Sequence, residues 1–215
     1  MKIFGFPLSP FVRKVHVVAA EKGIAVETVL ANPMAPEPEF LAASPFRKIP
    51  ALQDGDFTLA DSTAIATYLD ALQPDPPLLP AAAKARATAI WFEEVADTIL
   101  TPAGGPIVFN RLVGPKFLGL PGDEDAARAG EVALAPILDY IETAAPAQGW
   151  LAGDQFSIGD IAIASVFATL RYVGVGPDAV RHPNTAAWFA RVEARPAWQA
   201  VLGREAAIFK ERVSA

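Results

Sequence analysis

The chain has 215 residues, is 52% hydrophobic and carries a formal net charge of −6 at pH 7. This length is enough to bury one large core or two smaller ones, and the acidic balance without a long basic run argues against nucleic acid as a partner. The sequence contains no cysteine, which excludes disulfides, thiolate metal ligands and a thiol nucleophile of the protein's own. Charged residues interrupt the N-terminal apolar segment, and no uncharged apolar run reaches membrane-spanning length. We therefore expect a soluble, cytoplasmic protein with no signal peptide and no membrane partner.

The first 44 residues predict alternating strands and helices. Residues 2–6 form a short apolar run that is typical of a buried strand, and a helix with one apolar face begins at Pro10. A β-branched stretch at 26–30 predicts a second strand. The segment 32–38 is a loop, and a short helix is expected after it.

Residues 48–72 predict two short strands and a helix. The strands flank Asp54-Gly55-Asp56, which is a strong hairpin signal, and Ser62 can cap the helix that follows. Together with the preceding elements this gives the order β-α-β, loop with helix, β-β-α. That order predicts an α/β thioredoxin-like N-terminal domain with a right-handed crossover.

The second part of the chain is predicted to be all-α. Residues 73–80 contain four prolines and read as a linker, because proline disfavours helix in the residue before it. Four helical segments follow, at 84–100, 125–145, 157–173 and 184–202. The predicted organisation is a first domain at 1–76, a linker at 77–84 and a helical domain at 85–215.

Ser9 and Pro10 lie where the first strand turns into the first helix. Serine is a favoured N-cap and proline is favoured at the first helical position, so a capped helix start is enough to explain the pair. The corner also lies at the C-terminal end of a strand, where open α/β sheets bind ligands, and a helix N-terminus suits an anion. A serine hydroxyl there can donate to a bound thiolate. No His-Asp partner accompanies Ser9, which argues against a hydrolase-type nucleophile.

Two further pairs have both a structural and a functional interpretation. Ile49-Pro50 precedes the third strand; in a thioredoxin-like fold the corresponding proline is usually cis, and a ligand peptide can pair with the backbone before it. Asp61 and Ser62 open the last helix of the first domain, where an N-cap is expected. Alternatively, the Ser62 hydroxyl and the helix amides bind a ligand carboxylate, and Asp61 accepts from a ligand ammonium.

Several polar residues are best explained by folding. Ser157 and Asp160 have the spacing of a capping box, so Asp160 is expected to tie a helix start to the preceding loop and not to be catalytic. His16 and His182 are expected to be structural. They lie far apart without metal-type spacing, so no metal site is predicted.

Four stretches, taken together, resemble the cytosolic glutathione transferases: SPFVRKV, KIPALQDGD, ADSTAIATYL and WLAGDQFSIGDIAIAS. The resemblance runs over essentially the whole chain, and the order and spacing of the pieces are more specific than any one of them. The segment from IWFEEVADTIL to FLG looks most like the plant-type phi class or a bacterial relative. The resemblance implies a glutathione site on the thioredoxin-like domain, an apolar substrate site on the all-α domain, and a homodimer.

Residue roles follow from the resemblance. Ser9 corresponds to the serine that stabilises the glutathione thiolate, and Ile49, beside Pro50, to the residue whose backbone pairs with the cysteinyl moiety. Asp61 and Ser62 match the pair that holds the γ-glutamyl end. The family pair is usually Glu-Ser or Gln-Ser, so Asp61 is one methylene shorter.

The resemblance also indicates residues for the glycyl end of glutathione and for the hydrophobic substrate. Lys48 stands where glutamine is common and can hold the glycine carboxylate. The plant-type His-Lys pair is absent, because Ala35 and Pro36 occupy those positions. The hydrophobic substrate site is expected at Leu8, Phe109 and Val113.

The resemblance predicts a glutathione transferase that conjugates the Ser9-stabilised thiolate to small hydrophobic electrophiles, a reaction of detoxification. A glutathione-dependent peroxidase, isomerase or dehalogenase on the same site is an alternative, and so is a non-catalytic binding or scaffold protein. The lack of cysteine excludes glutaredoxin-like and dehydroascorbate-reductase-like activity through a mixed disulfide. Glutathione is expected as co-substrate, without a metal.

Overall fold

The computed structural model describes the backbone of residues 1–213 and the side chains as far as residue 208. Its contacts divide the chain into two compact units, one formed by residues 1–79 with the chain from Arg195 onward, the other by residues 80–194. No helix in this described part is long and apolar enough to cross a bilayer.

The first unit contains a mixed four-stranded sheet in the order β2-β1-β3-β4. β1 and β2 are parallel, and the other pairs are antiparallel. Gly55, at φ 61°, makes the predicted turn between β3 and β4, because glycine adopts this left-handed conformation at little cost. The thioredoxin-like expectation is confirmed. In chain order its elements are β1 (Lys2–Gly5), α1 (Pro10–Glu21), β2 (Glu27–Leu30), α2 (Pro38–Ala43), β3 (Ala51–Asp54), β4 (Phe57–Ala60) and α3 (Ser62–Leu72).

The second unit is helical, as predicted. It contains α4 (Ala83–Glu94), a π-helical segment at Val95–Leu100, α5 (Thr101–Val108), a second π-helical segment at Phe109–Leu118, α6 (Glu124–Ala144), α7 (Ile158–Arg171) and α8 (Pro183–Glu193). The sequence patterns did not identify residues 101–118 as helical, because prolines at 102, 106 and 115 are strong helix breakers. The chain accommodates them by widening into π turns instead of ending the helix.

The predicted single helix at 184–202 is wrong. Ala194 ends α8, and a new helix, α9 (Pro196–Val213), begins immediately after Arg195. Proline has no N–H to continue the helix and disfavours helical geometry in the residue before it. By its contacts α9 belongs to the first unit, whereas the sequence alone groups it with the preceding helices. The boundaries 1–76, 77–84 and 85–215 stay a prediction.

Helix α1 is buried on two sides, which its sequence does not indicate. Arg13 and Lys14 lie on the polar side of the helix pattern, yet both are buried. Arg13 makes a buried ion pair with Glu205 on α9, with Nε 2.7 Å from Oε2. Arg195 makes a second bidentate ion pair with Glu21, in which Nε and Nη2 each lie 2.7 Å from a carboxylate oxygen. Bidentate pairs of this kind fix orientation as well as distance, so α9 holds α1 in a defined position.

His16, on the same helix, is also buried and has a structural role, as expected. Burial, with a smaller contribution from the nearby Arg204 charge, lowers the pKa of His16 from 6.5 to about 4. The ring is therefore neutral at neutral pH. Its Nε2 lies 3.4 Å from the Thr28 hydroxyl on β2.

The second unit contains the predicted capping box at the start of α7. The buried Asp160 carboxylate accepts from the Ser157 N–H at 3.0 Å, the Leu151 N–H at 2.9 Å and the Trp188 indole at 2.8 Å. Burial nevertheless raises the pKa of Asp160 above its usual value. These hydrogen bonds tie the start of α7 to the preceding loop and to α8, which supports a structural role for Asp160.

Candidate functional site

The sheet register brings three predicted site segments to one edge. Phe4, near the end of β1, lies opposite Ala51, the first residue of β3, and Ala51 lies opposite Ala60, the last residue of β4. The chain leaving β1 toward Ser9, the chain entering β3 from Ile49 and the chain leaving β4 toward Asp61 therefore meet at the same edge. This is the position at which open α/β sheets bind ligands.

Ser9 occupies the N-cap position of α1 but does not cap the helix with its side chain. Its N–H donates to the Phe6 carbonyl at 2.9 Å, and its own carbonyl accepts from the Arg13 N–H at 2.9 Å. The hydroxyl makes no capping hydrogen bond, so the capping role predicted for this side chain is wrong. Because the first turn of α1 carries no acidic residue, its partial positive charge is not compensated locally. The corner thus offers a hydroxyl donor beside a helix N-terminus.

Ile49 and Pro50 form a cis peptide at the entrance to β3. Pro50 is buried, and Ile49 packs against the core cluster around Phe4 and Phe40. Among the described residues, no hydrogen bond uses the N–H or the carbonyl of Ile49. The N–H and carbonyl of Ile49 are thus left unpaired at the sheet edge, which is what pairing with a ligand peptide requires.

The start of α3 reverses the roles that its sequence suggests. Asp61, not Ser62, is the N-cap: its Oδ1 accepts from the Thr63 N–H at 2.9 Å and the Ala64 N–H at 3.1 Å. Ser62 is the first helical residue and is only 3% exposed. The capping role predicted for Ser62 is therefore wrong.

Asp61 also has an unusual backbone conformation, with φ 85° and ψ 129°. Residues with a side chain rarely adopt positive φ, and such strain concentrates at functional sites, where the surrounding structure maintains it. The exposed carboxylate of Asp61 is the polar group that this conformation presents at the sheet edge.

The loop before β3 carries two neighbouring cations. Arg47 and Lys48 are both exposed, and within the described part of the chain neither side chain makes an ion pair or a hydrogen bond. Arg47 has a positive φ of 57°, which places it in the left-handed region. The Lys48 backbone is held on both sides by the hydroxyl of Ser44, which bonds its N–H at 2.9 Å and its carbonyl at 2.7 Å. The sequence indicates Lys48 as a candidate, which stays a prediction, and it does not indicate Arg47 or Ser44, for which only the turn-forming Ser44-Pro45 pair gives a signal.

The predicted apolar residues lie in both units. Leu8 is buried in the first unit, next to Ser9 in the chain. Phe109 is 43% exposed and Val113 is half-buried, and both belong to the second π-helical segment of the second unit. Their joint role in binding a substrate stays a prediction.

Family models match both parts of the chain. The N-terminal domain of the glutathione S-transferases matches residues 3–77, and the C-terminal domain matches residues 100–196. Glutathione S-transferase 3 of Zea mays is 38% identical over 206 residues, which cover 93% of this chain and 91% of the maize protein. Glutathione S-transferase F10 of Arabidopsis thaliana is 32% identical, covering 91% of this chain and 93% of that protein.

Solved structures agree with these relatives. A glutathione S-transferase from Rhodospirillum rubrum superposes with a TM-score of 0.86 at 31% identity, over 94% of this chain and 91% of that one. Glutathione S-transferase III in its apo form superposes with a TM-score of 0.80 at 36% identity, over 94% and 95%. The chain therefore belongs to the glutathione S-transferase family of enzymes, and its plant relatives confirm the resemblance to the phi type.

Proposed function

We propose that this protein binds glutathione at the sheet edge, stabilises its thiolate with Ser9 and transfers it to small hydrophobic electrophiles. The observation that carries the proposal is the Ser9 hydroxyl, which stands at an uncompensated helix N-terminus and is not used as a cap. A donor in this position stabilises an anion twice, through its own hydrogen bond and through the helix.

The rest of glutathione is assigned to the neighbouring segments. The cysteinyl moiety pairs with the N–H and carbonyl of Ile49 as an added strand. At α3, Asp61 already occupies the Thr63 and Ala64 amides, so the Ser62 hydroxyl and N–H remain as donors to the γ-glutamyl carboxylate. The second oxygen of Asp61, Oδ2, caps neither amide and accepts from the γ-glutamyl ammonium.

The glycyl carboxylate is assigned to Lys48. Ala35 and Pro36, which replace the plant-type His-Lys pair, cannot bind a carboxylate with their side chains. Lys48 has an exposed ammonium with no partner in the described structure, and its backbone is fixed. A single cation on a fixed backbone gives a simpler glycyl site than a pair of side chains.

The energetic demand on Ser9 is modest. A free thiol of pKa ~8.5 is only a few per cent ionised at pH 7, and lowering that pKa by about two units requires roughly 2.7 kcal/mol. One hydrogen bond to a charged group contributes about 1.5–3 kcal/mol, and a helix N-terminus adds about 0.3–1 kcal/mol. The two together are sufficient, so no general base is needed.

In the transfer step the thiolate sulfur supplies the electron pair of a new C–S bond, and the leaving group departs with the pair of the bond that breaks. The electrophile is assigned to an apolar site with Leu8, Phe109 and Val113. A homodimer in the cytoplasm, as the family suggests, completes the proposal.

The test is a glutathione titration followed by a substrate panel. We expect calorimetric binding at or below millimolar glutathione, and conjugation of a model aryl halide that is absent without enzyme. Organic hydroperoxides, isomerisable substrates and alkyl halides in the same panel separate the alternative thiolate reactions. Absence of binding at millimolar glutathione would refute the proposal and favour a non-catalytic role.

A further inference from the structure

Ser44, which ends α2, uses every one of its hydrogen-bonding groups within a single turn. Its N–H donates to the Phe40 carbonyl at 2.8 Å, and its carbonyl accepts from the Arg47 N–H at 2.9 Å. Its hydroxyl donates to the Lys48 carbonyl at 2.7 Å and accepts from the Lys48 N–H at 2.9 Å. The side chain is 0% exposed, so water does not compete for these bonds.

The two hydroxyl bonds fix the peptide planes on either side of Lys48. The N–H of Lys48 belongs to the Arg47–Lys48 peptide, and its carbonyl belongs to the Lys48–Ile49 peptide. A trans peptide is planar, and its carbonyl and N–H point in opposite directions. Because the Lys48 carbonyl is directed at Ser44, the N–H of Ile49 is directed away from Ser44.

Ser44 is itself anchored to the core of the first unit. Phe40, which accepts its N–H, and Ala43, its neighbour, belong to a buried cluster with Phe4 and Ala51. Ile49 packs against the same cluster. The cluster therefore holds both ends of the loop, and Ser44 sets the orientation of the peptide between them.

We propose that Ser44 is a positioning residue for glutathione, whose buried hydroxyl aims the Ile49 N–H at the ligand. The inference rests on the proposed function and concerns the same site. Ser44 does not touch glutathione: it acts through the Lys48–Ile49 peptide. Without the hydroxyl that peptide is free to rotate. Glutathione must then order the peptide on binding, which weakens the binding free energy.

The first test compares Ser44→Ala with Ser44→Thr, which keeps the hydroxyl, and with Ser165→Ala, which removes another 0% exposed serine hydroxyl, on α7. We expect Ser44→Ala to raise the Kd and KM for glutathione about tenfold, the upper range for one neutral hydrogen bond. Its kcat should change less than twofold, and the pKa of the bound thiol should stay at the wild-type value. Ser44→Thr should restore most of the affinity, and Ser165→Ala should bind as wild type does.

The second test uses the wild-type protein and does not depend on a folded variant. In amide hydrogen exchange, the Lys48 N–H should be protected without glutathione, and the Ile49 N–H should become protected only when glutathione is added. If glutathione binds but the Ile49 N–H gains no protection, or if Ser44→Ala loses stability with unchanged Kd, the inference is overturned. If the wild type itself binds no glutathione, the proposed function fails instead, so the two failures are distinguishable.

Discussion

From the proposed role of Ser9, we expect Ser9→Ala to lower the conjugation rate while leaving the fold stable, which a capping serine would not allow. Removing a capping hydroxyl typically costs about 1 kcal/mol of stability. The Ser9 hydroxyl makes no capping bond, and both backbone bonds of the residue survive the substitution. We therefore expect Ser9→Ala to lose less than about 0.5 kcal/mol, the usual range for a surface change without a specific contact.

The effect on the thiol is larger. Loss of one hydrogen bond to a charged group, about 1.5–3 kcal/mol, corresponds to a rise of about one to two units in the pKa of bound glutathione. Below both pKa values the rate follows the thiolate fraction, so conjugation should fall roughly 10- to 100-fold. Above both pKa values the difference between variant and wild type should largely disappear.

Two quantities are measured for each variant: the pH profile of aryl halide conjugation and the free energy of unfolding in urea. Asp123→Ala is the matched control, because Asp123 caps α6 by accepting from the Ala126 N–H at 3.0 Å. It should lose about 1 kcal/mol of stability with an unchanged pH profile, the reverse of Ser9→Ala. A Ser9→Ala enzyme with the wild-type rate and profile would show that Ser9 does not activate the thiol.

Three further substitutions test the packing. His16 stays neutral in the native state with a pKa of about 4, while the unfolded chain protonates near 6.5, so stability is lost as the pH falls from 6.5 to 4. His16→Gln should flatten that part of the urea-unfolding profile by roughly 3 kcal/mol. Asp160→Asn should destabilise by about 1–3 kcal/mol, because the new amide N–H would face a buried donor that the carboxylate now accepts, and thermal melting would report it. Arg13→Met should cost about 3–5 kcal/mol by removing the Arg13 guanidinium from the buried Glu205 carboxylate, and the double variant with Glu205→Leu should recover most of it; a double variant as unstable as the single one would contradict this.

The strands and their order could be predicted because their signals are local. Asp54-Gly55 specifies a tight turn, and the β-branched run before Leu30 specifies a strand, whatever else the chain does. The resemblance to the glutathione transferases depends on the order and spacing of these local sequence motifs. The resemblance also assigns site roles to Ser9, Ile49 and Ser62 from the order of elements, and those roles stay predictions.

The predictions that the structure contradicts concern backbone and side-chain geometry that no local sequence pattern encodes. Whether Asp61 or Ser62 caps α3 is decided by a backbone with φ 85°, which the sequence does not favour. Whether the Ser9 hydroxyl caps α1 is decided by its rotamer. Ser44 has the composition of an ordinary turn residue, and its importance comes from burial and from bonds to a residue four positions later.

The burial of α1 against α9 has a consequence for folding during synthesis. The partners of Arg13 and Glu21 lie 192 and 174 residues later in the chain. During synthesis the helix that follows Ser9 emerges early, but its buried charges find their partners only after α9 leaves the ribosome. Contacts of such long sequence separation form late and slowly. A nascent chain that stops before α9 therefore contains the sheet-edge residues but not the ion pairs that fix the helix beginning after Ser9. A truncated translation product should then lack an ordered helix start at the position where we propose that the thiolate binds.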